Sequence, residues 1–229
     1  MCLYVLPFFQ PSAWWRFVPS TVAILLCGAI VLGRSAPSFF GLRLGLRASL
    51  QSGALLAAAM AGAHFVLSTY VATYLEFSPE LSALNVVHQF FQVLNDEMVM
   101  RAALITVVLS LWPAPKAVIP LLAGVFALGH SLFYGLGGVA IHTPALLTLF
   151  AFGVIANTLF VAFGHIWYGF ALHYAWNIYR FNAAYYVDGR RLLEGETFNY
   201  IEGNAWVTCA SLALMTIVLG VYARWGRRS

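Results

Sequence analysis

The chain has 229 residues, 62% of them hydrophobic and 9% charged, with a mean hydropathy of +0.82. Soluble domains carry about 25% charged residues, so this composition excludes a soluble globular enzyme and implies a polytopic membrane protein. The net charge of +4 comes from loop and tail residues, which fits membrane orientation rather than nucleic-acid binding.

A membrane crossing takes ~20 apolar residues, so the length accommodates about seven spans in an all-α transmembrane bundle. Residues 1–229 read as a single integral membrane domain with no sizeable soluble part. Met1 to Phe17 is aromatic and broken by Pro7 and Pro11, and it lacks the basic start of a signal peptide. Trp14 and Trp15 give it the character of an interfacial segment. The first span runs from about Val18 to Leu32, followed by a basic loop with Arg34, Arg43 and Arg47. The second covers about Leu50 to Tyr74, and Glu76, Pro79 and Glu80 mark the next loop. The third extends from Val86 to Leu111 and stops at Trp112-Pro113. Lys116 opens the fourth, which reaches Tyr134; Gly135 to Pro144 is a glycine-rich loop. The fifth runs from Ala145 to Phe163, the sixth from Trp167 to Tyr186, and the seventh from Ala205 to Tyr222.

Loop charge is asymmetric. Arg34, Arg43, Arg47, Lys116, Arg224, Arg227 and Arg228 fall on one side of a seven-span topology. Glu76, Glu80, Asp188, Glu194, Glu196 and Glu202 fall on the other. The positive-inside rule then puts the carboxyl terminus in the cytoplasm. Eleven of the twelve basic residues are Arg, a bias that favours a bacterial inner membrane as the host. Cys2, Cys27 and Cys209 are scattered and form neither a disulfide framework nor a zinc-thiolate pattern.

Three short polar patterns lie inside the spans. Asn95-Asp96-Glu97-Met98-Val99-Met100-Arg101 sits in the third. A charge near the bilayer centre costs ~2.5–3.5 kcal/mol on insertion scales, so such residues are functional candidates by default. Glu97 and Arg101 share one helix face while Asp96 points about 100° away, which suits Asp96 to pairing with an adjacent span. Taken alone, Glu97 and Arg101 read equally well as a self-neutralising structural pair. Phe126-Ala-Leu-Gly-His130 places an aromatic ring and an imidazole one turn apart on the fourth span. His173-Tyr-Ala-Trp-Asn177 does the same for an imidazole and an amide on the sixth. A lone intramembrane His is most often an interhelical hydrogen-bonder; three such patterns on separate spans favour a shared pocket.

Their order resembles that of the CPBP (CAAX protease and bacteriocin-processing) family of intramembrane proteases, which includes the Rce1-type CAAX prenyl endopeptidases. The resemblance covers about Gln89 to Asn177, inside a core at residues 86–182. It implies a metal-independent glutamate protease with Glu97, His130, His173 and Asn177 catalytic, supported by Asp96, Arg101 and Phe126. The first acidic position, usually Glu in this family, is Asp96 here. The implied substrate is a membrane-associated protein or peptide in the lipid bilayer.

The residue types permit this chemistry on their own terms. Hydrolysis needs a water, a base and donors for the developing oxyanion. Glu97 suits the base, His130 the water or leaving group, and His173 with Asn177 the oxyanion. Arg101 stays protonated and orients or neutralises a neighbour. No cofactor is called for; zinc held by Glu97, His130 and His173 is the alternative, although no HExxH occurs. A proton-coupled transporter also builds on intramembrane Glu, Arg and His, but the chain shows no duplicated halves. A non-catalytic membrane scaffold or immunity protein is the third reading.

Overall fold

The computed structural model describes residues 17–70, 75–79, 82–181 and 183–225. The expected interfacial segment, the end of the second span and the tail arginines Arg227 and Arg228 lie outside them.

Proline and glycine punctuate the bundle. Helix α1 (Phe17–Leu32) runs into a short turn at Gly33–Ser35, after which Phe40 folds back onto Gly28, where a Cβ would collide with its ring. Helix α2 (Leu46–Phe65) continues through a wide turn at Val66–Tyr70. Helix α3 is continuous through Ala83–Asp96, Glu97–Ala103 and Leu104–Leu111. Its middle segment is π-helical: the Leu104 N–H donates to the Val99 carbonyl, five residues back. Such widened turns concentrate at functional sites. Trp112-Pro113-Ala114-Pro115 ends α3 and starts α4 (Pro115–Leu136), with Pro at the first turn where its missing N–H costs nothing. Helix α5 (Thr143–Phe163) also opens on a proline and closes on Gly164, whose φ of 69° supplies the left-handed cap. Helix α6 (Trp167–Phe181) follows at once, then α7 (Glu194–Ile201) and α8 (Ala205–Trp225).

The architecture is an all-α membrane bundle. Five segments are long and apolar enough to cross a membrane: Val18–Phe39, Leu46–Thr69, Pro115–Leu136, Thr143–Phe163 and Ala205–Arg224. Helix α3 has the length but carries three charged residues, Asp96, Glu97 and Arg101, and α6 has 15 residues, about 22 Å of helix against a hydrocarbon core of about 30 Å. Helix α5 is the centre of the bundle, with ten buried residues from Ala145 to Thr158. It meets α4 where Gly153 faces Ala123; a Cβ there would stand 3.0 Å from the Ala123 Cα.

Two boundaries differ from expectation. The sixth span ends at Phe181 rather than Tyr186, because residues Ala183–Val187 form strand β2. The stretch expected as a loop at Glu76 is strand β1 (Glu76–Pro79), antiparallel to β2 with Glu76 opposite Tyr186. Strand β3 (Arg190–Arg191) pairs with β2 through a turn at Asp188-Gly189. Alternating apolar residues in Ala-Ala-Tyr-Tyr-Val favour a strand as much as a helix end, and the partner in β1 decides it. This small sheet and α7 cap one end of the bundle. At the other end the Ile166 N–H donates to the Gly41 carbonyl and the Trp167 indole to the Leu42 carbonyl. Cys27 and Cys209, expected as small core residues, are both exposed.

Candidate active site

The π-helical segment of α3 begins at the acidic pair. Glu97 is wholly buried, and its Oε1 accepts a hydrogen bond from His173 Nδ1 at 3.0 Å. Its Oε2 stands 3.5 Å from Arg101 Nε. Helix α6 comes this close because residue 169 is Gly; a Cβ there would lie 2.7 Å from Glu97 Oε2. The Arg101 guanidinium is 1% exposed and lies 4.3 Å from the centre of the Phe126 ring and 5.6 Å from that of Phe152. Arg101 is therefore neutralised by Glu97 on one side and by aromatic faces on the other.

The same aromatic pair frames the imidazoles. His130 stacks 4.4 Å from the Phe126 ring, and His173 meets Phe152 edge-on at 5.0 Å. His130 Nδ1 donates to the Phe126 carbonyl at 2.9 Å. A carbonyl only accepts, so the neutral ring presents its Nε2 lone pair. Asn177, one turn beyond His173, donates from Nδ2 to Gln89 Oε1 of α3 at 3.2 Å, which fixes its carboxamide.

Asp96, His130, His173 and Asn177 all border a cavity of about 200 Å³ between α3, α4, α5, α6 and α8. Phe126, Phe152 and Ile155 floor it, and Val207, Ser211 and Leu214 of α8 wall one flank. The three sequence patterns thus converge. Two details depart from expectation. Asp96, read as pointing toward another span, borders the cavity itself. Glu97, read as the base, does not; it sits behind His173, engaged at both oxygens.

Sequence reasoning missed a second buried charge pair. Arg101 was the only basic residue expected in the interior, and Glu202 was placed in a loop. Arg180 is 3% exposed, and its Nε stands 2.9 Å from Glu202 Oε1, with Glu202 equally buried. Trp176 Nε1 donates to the same oxygen at 3.0 Å, and Arg180 Nη2 to the Glu194 carbonyl at 3.0 Å. Arg180, Glu202 and Tyr134 form the polar end of the cavity. The available signal was periodicity: positions 173, 177 and 180 share one helix face. Burial pushes the Glu202 carboxyl above the ordinary carboxylate range, with Arg180 opposing the shift.

Among the described residues no three His, Cys, Asp or Glu side chains gather at metal-binding distance. The set Glu97, His130 and His173 does not gather in this way either.

Fold and site define an integral membrane protein with a largely apolar cavity of about 200 Å³ between its helices, into which a few polar side chains converge. Residues 78–179 match the family model for Type II CAAX prenyl endopeptidase Rce1-like, which supports membership of the CPBP family and, at family level, a CAAX-type intramembrane endopeptidase. No curated protein and no solved structure matches the chain.

Proposed function

We propose that the chain hydrolyses one peptide bond of a membrane-associated protein or peptide, using a water activated by a carboxylate in the cavity and no metal. The observation that carries this reading is the convergence of Asp96, His130, His173 and Asn177 on one enclosed volume. Asp96, one of the two acidic groups that line the cavity, takes the water's proton, and the oxygen attacks the carbonyl carbon. His130 Nε2 accepts the water's second hydrogen and so orients it. The oxyanion is met by the Asn177 Nδ2 hydrogen not given to Gln89. Glu97 fixes the orientation of the His173 ring through its bond to Nδ1. The tetrahedral intermediate collapses, the C–N bond breaks, and the amine leaves with the proton held by Asp96. The chain is placed in a bacterial inner membrane with its carboxyl terminus cytoplasmic, following the loop charge asymmetry. Its substrate is a prenylated tail, a leader peptide or a carboxyl-terminal anchoring segment.

The test compares membrane-protein termini in cells carrying the wild-type chain, Asp96→Asn, Glu97→Gln and His173→Ala. One class of new termini is expected to vanish in Asp96→Asn and His173→Ala at unchanged protein level, an activity loss of about 10²–10⁴-fold for a removed general base. Termini identical in all four strains would sink the protease reading. Loss in Glu97→Gln with retention in Asp96→Asn would return the base to Glu97.

A further inference from the structure

The cavity and the basic loops sit at opposite ends of the bundle. Resting on the endopeptidase reading and the orientation given with it, we infer that the cavity is entered from the extracytoplasmic face, so that the substrate is a segment that has already crossed the membrane.

Two independent observations carry this. The first is where the cavity lies. Its α4 lining, Phe126, His130 and Tyr134, and its α8 lining, Val207, Ser211 and Leu214, come from the half of each helix nearest the cap. His130 stands about 9 Å of helix from the cap end of α4 and about 21 Å from Lys116 at its start. Phe198 and Glu202, from the cap segment itself, complete the wall. Toward the opposite end the bundle is filled: Ile105, Val118, Leu122, Ala123 and Val154 are buried beneath the cavity floor. A peptide backbone passing that way would lose its hydrogen bonds to water among apolar side chains. The polar end at Arg180, Glu202 and Tyr134 is the side it can enter.

The second is where the charge lies. Arg34, Arg43, Arg47, Lys116 and Arg224 all stand at the end away from the cap, with no acidic side chain beside them among the described residues. The loop before α2 is docked to the start of α6 through Gly41 and Leu42, and Tyr222 near the end of α8 packs on Ile119, Ala123 and Val154. These contacts bring the basic loops to one face. The cap carries Glu76, Asp188, Glu194 and Glu196 beside Arg190 and Arg191. Lys and Arg in short loops stay in the cytoplasm, so the cap and the cavity mouth under it face outward.

This gives the enzyme a place in a sequence of reactions. A tail lipidated on a cytoplasmic protein lies at the wrong face. The step that supplies the substrate is translocation, and the bond presented belongs to the outer flank of a leader or anchoring segment.

The experiment reads access to the cavity from each face. Cys2, Cys27 and Cys209 are replaced by Ser in the full chain, and Ser211→Cys, Asp188→Cys and Lys116→Cys are added one at a time. Ser211 borders the cavity, and its exchange replaces one oxygen by sulfur. The probe is a membrane-impermeant methanethiosulfonate bearing a sulfonate, applied to spheroplasts and to inside-out membrane vesicles. Ser211→Cys and Asp188→Cys are expected to react in spheroplasts and to lose that reaction in vesicles, with Lys116→Cys doing the reverse. Reaction of Ser211→Cys in vesicles, or in neither preparation, would overturn the inference. In parallel, the termini lost in Asp96→Asn are expected to map to extracytoplasmic segments of their parent proteins, and termini in cytoplasmic segments would overturn it as well. If no termini are lost the endopeptidase reading fails, while the labelling still judges from which face the cavity is entered.

Discussion

Among the described residues two buried ion pairs join a carboxylate to a guanidinium, and they are built differently. Glu97 and Arg101 are neighbours on one helix, four residues apart, at 0% and 1% exposure. They are closed in by Phe126, Phe152 and His173. Arg180 and Glu202 come from α6 and from the turn between α7 and α8, and meet at the polar end of the cavity. The first pair is local and supports a reactive imidazole. The second is long-range and fastens a surface segment to the bundle. A local pair forms wherever its helix forms; a long-range pair opens when its segment lifts. That difference makes the first suited to fixed positioning and the second to opening.

Removing one partner of either pair separates these roles most sharply. Glu97→Gln strands the Arg101 guanidinium in an apolar setting, with an expected loss of about 3–5 kcal/mol, read from chemical unfolding in detergent. Glu97→Leu/Arg101→Met should recover most of that stability, because no uncompensated charge remains. Proteolysis should stay lost, since His173 Nδ1 no longer has its carboxylate. Arg180→Met/Glu202→Leu should also recover stability, since it too leaves no uncompensated charge. Persistence of full activity in the Glu97/Arg101 double variant would remove Glu97 from the catalytic arrangement.

The contrast also explains what was legible in the sequence. Glu97, Arg101, His130, His173 and Asn177 announced themselves as polar residues at helical spacing inside apolar runs, and the bundle follows from hydropathy alone. Arg180 shares the His173 face, but it belongs to none of the three polar patterns and lies near the expected end of its span. Glu202 could not be placed inside, because only the docking of α7 carries it there. The role of Asp96 turns on the π-helical segment starting at Glu97. Straight-helix geometry sends Asp96 away from the partners of Glu97; the folded chain brings His173 to Glu97 and the cavity to Asp96. The sheet was hidden for the same reason, since β1 and β2 pair across more than a hundred residues.

A smaller effect tests how tightly the first pair is positioned. Gly169 lets α6 approach Glu97, and Gly169→Ala would put a methyl group 2.7 Å from Oε2. Overpacking of this kind costs about 1–3 kcal/mol. The carboxylate must rotate, so the Glu97–His173 bond lengthens and turnover falls with little change in substrate affinity. An unchanged rate in a Gly169→Ala chain of reduced stability would show that the His173 orientation does not limit catalysis.

The smallest effect lies at the surface, at Glu196, which titrates in the opposite direction to the buried Glu202 six residues on. Glu196 accepts from Arg190 at 3.0 Å through both oxygens and from the Leu193 N–H at 2.8 Å. Its hydrogen bond from Arg190 holds the carboxyl below its ordinary value of 4.5. A depressed folded value means that its contribution is present above the ordinary value and disappears as pH falls through the folded one. Glu202 is shifted upward by burial, so its contribution is present at low pH and fades as pH rises through its folded value. Hydrogen exchange at the Leu193 amide should therefore be slower in wild type than in Glu196→Gln at neutral pH, and the two should converge below about pH 4. A difference that persists in acid would mean that the Glu196 carboxylate does not hold the start of α7. The segment that delivers Glu202 to Arg180 would then be held by its other bonds, from Thr148 and Thr208 to the Glu202 carbonyl and between Asn199 and the backbone of Ala140 and His142.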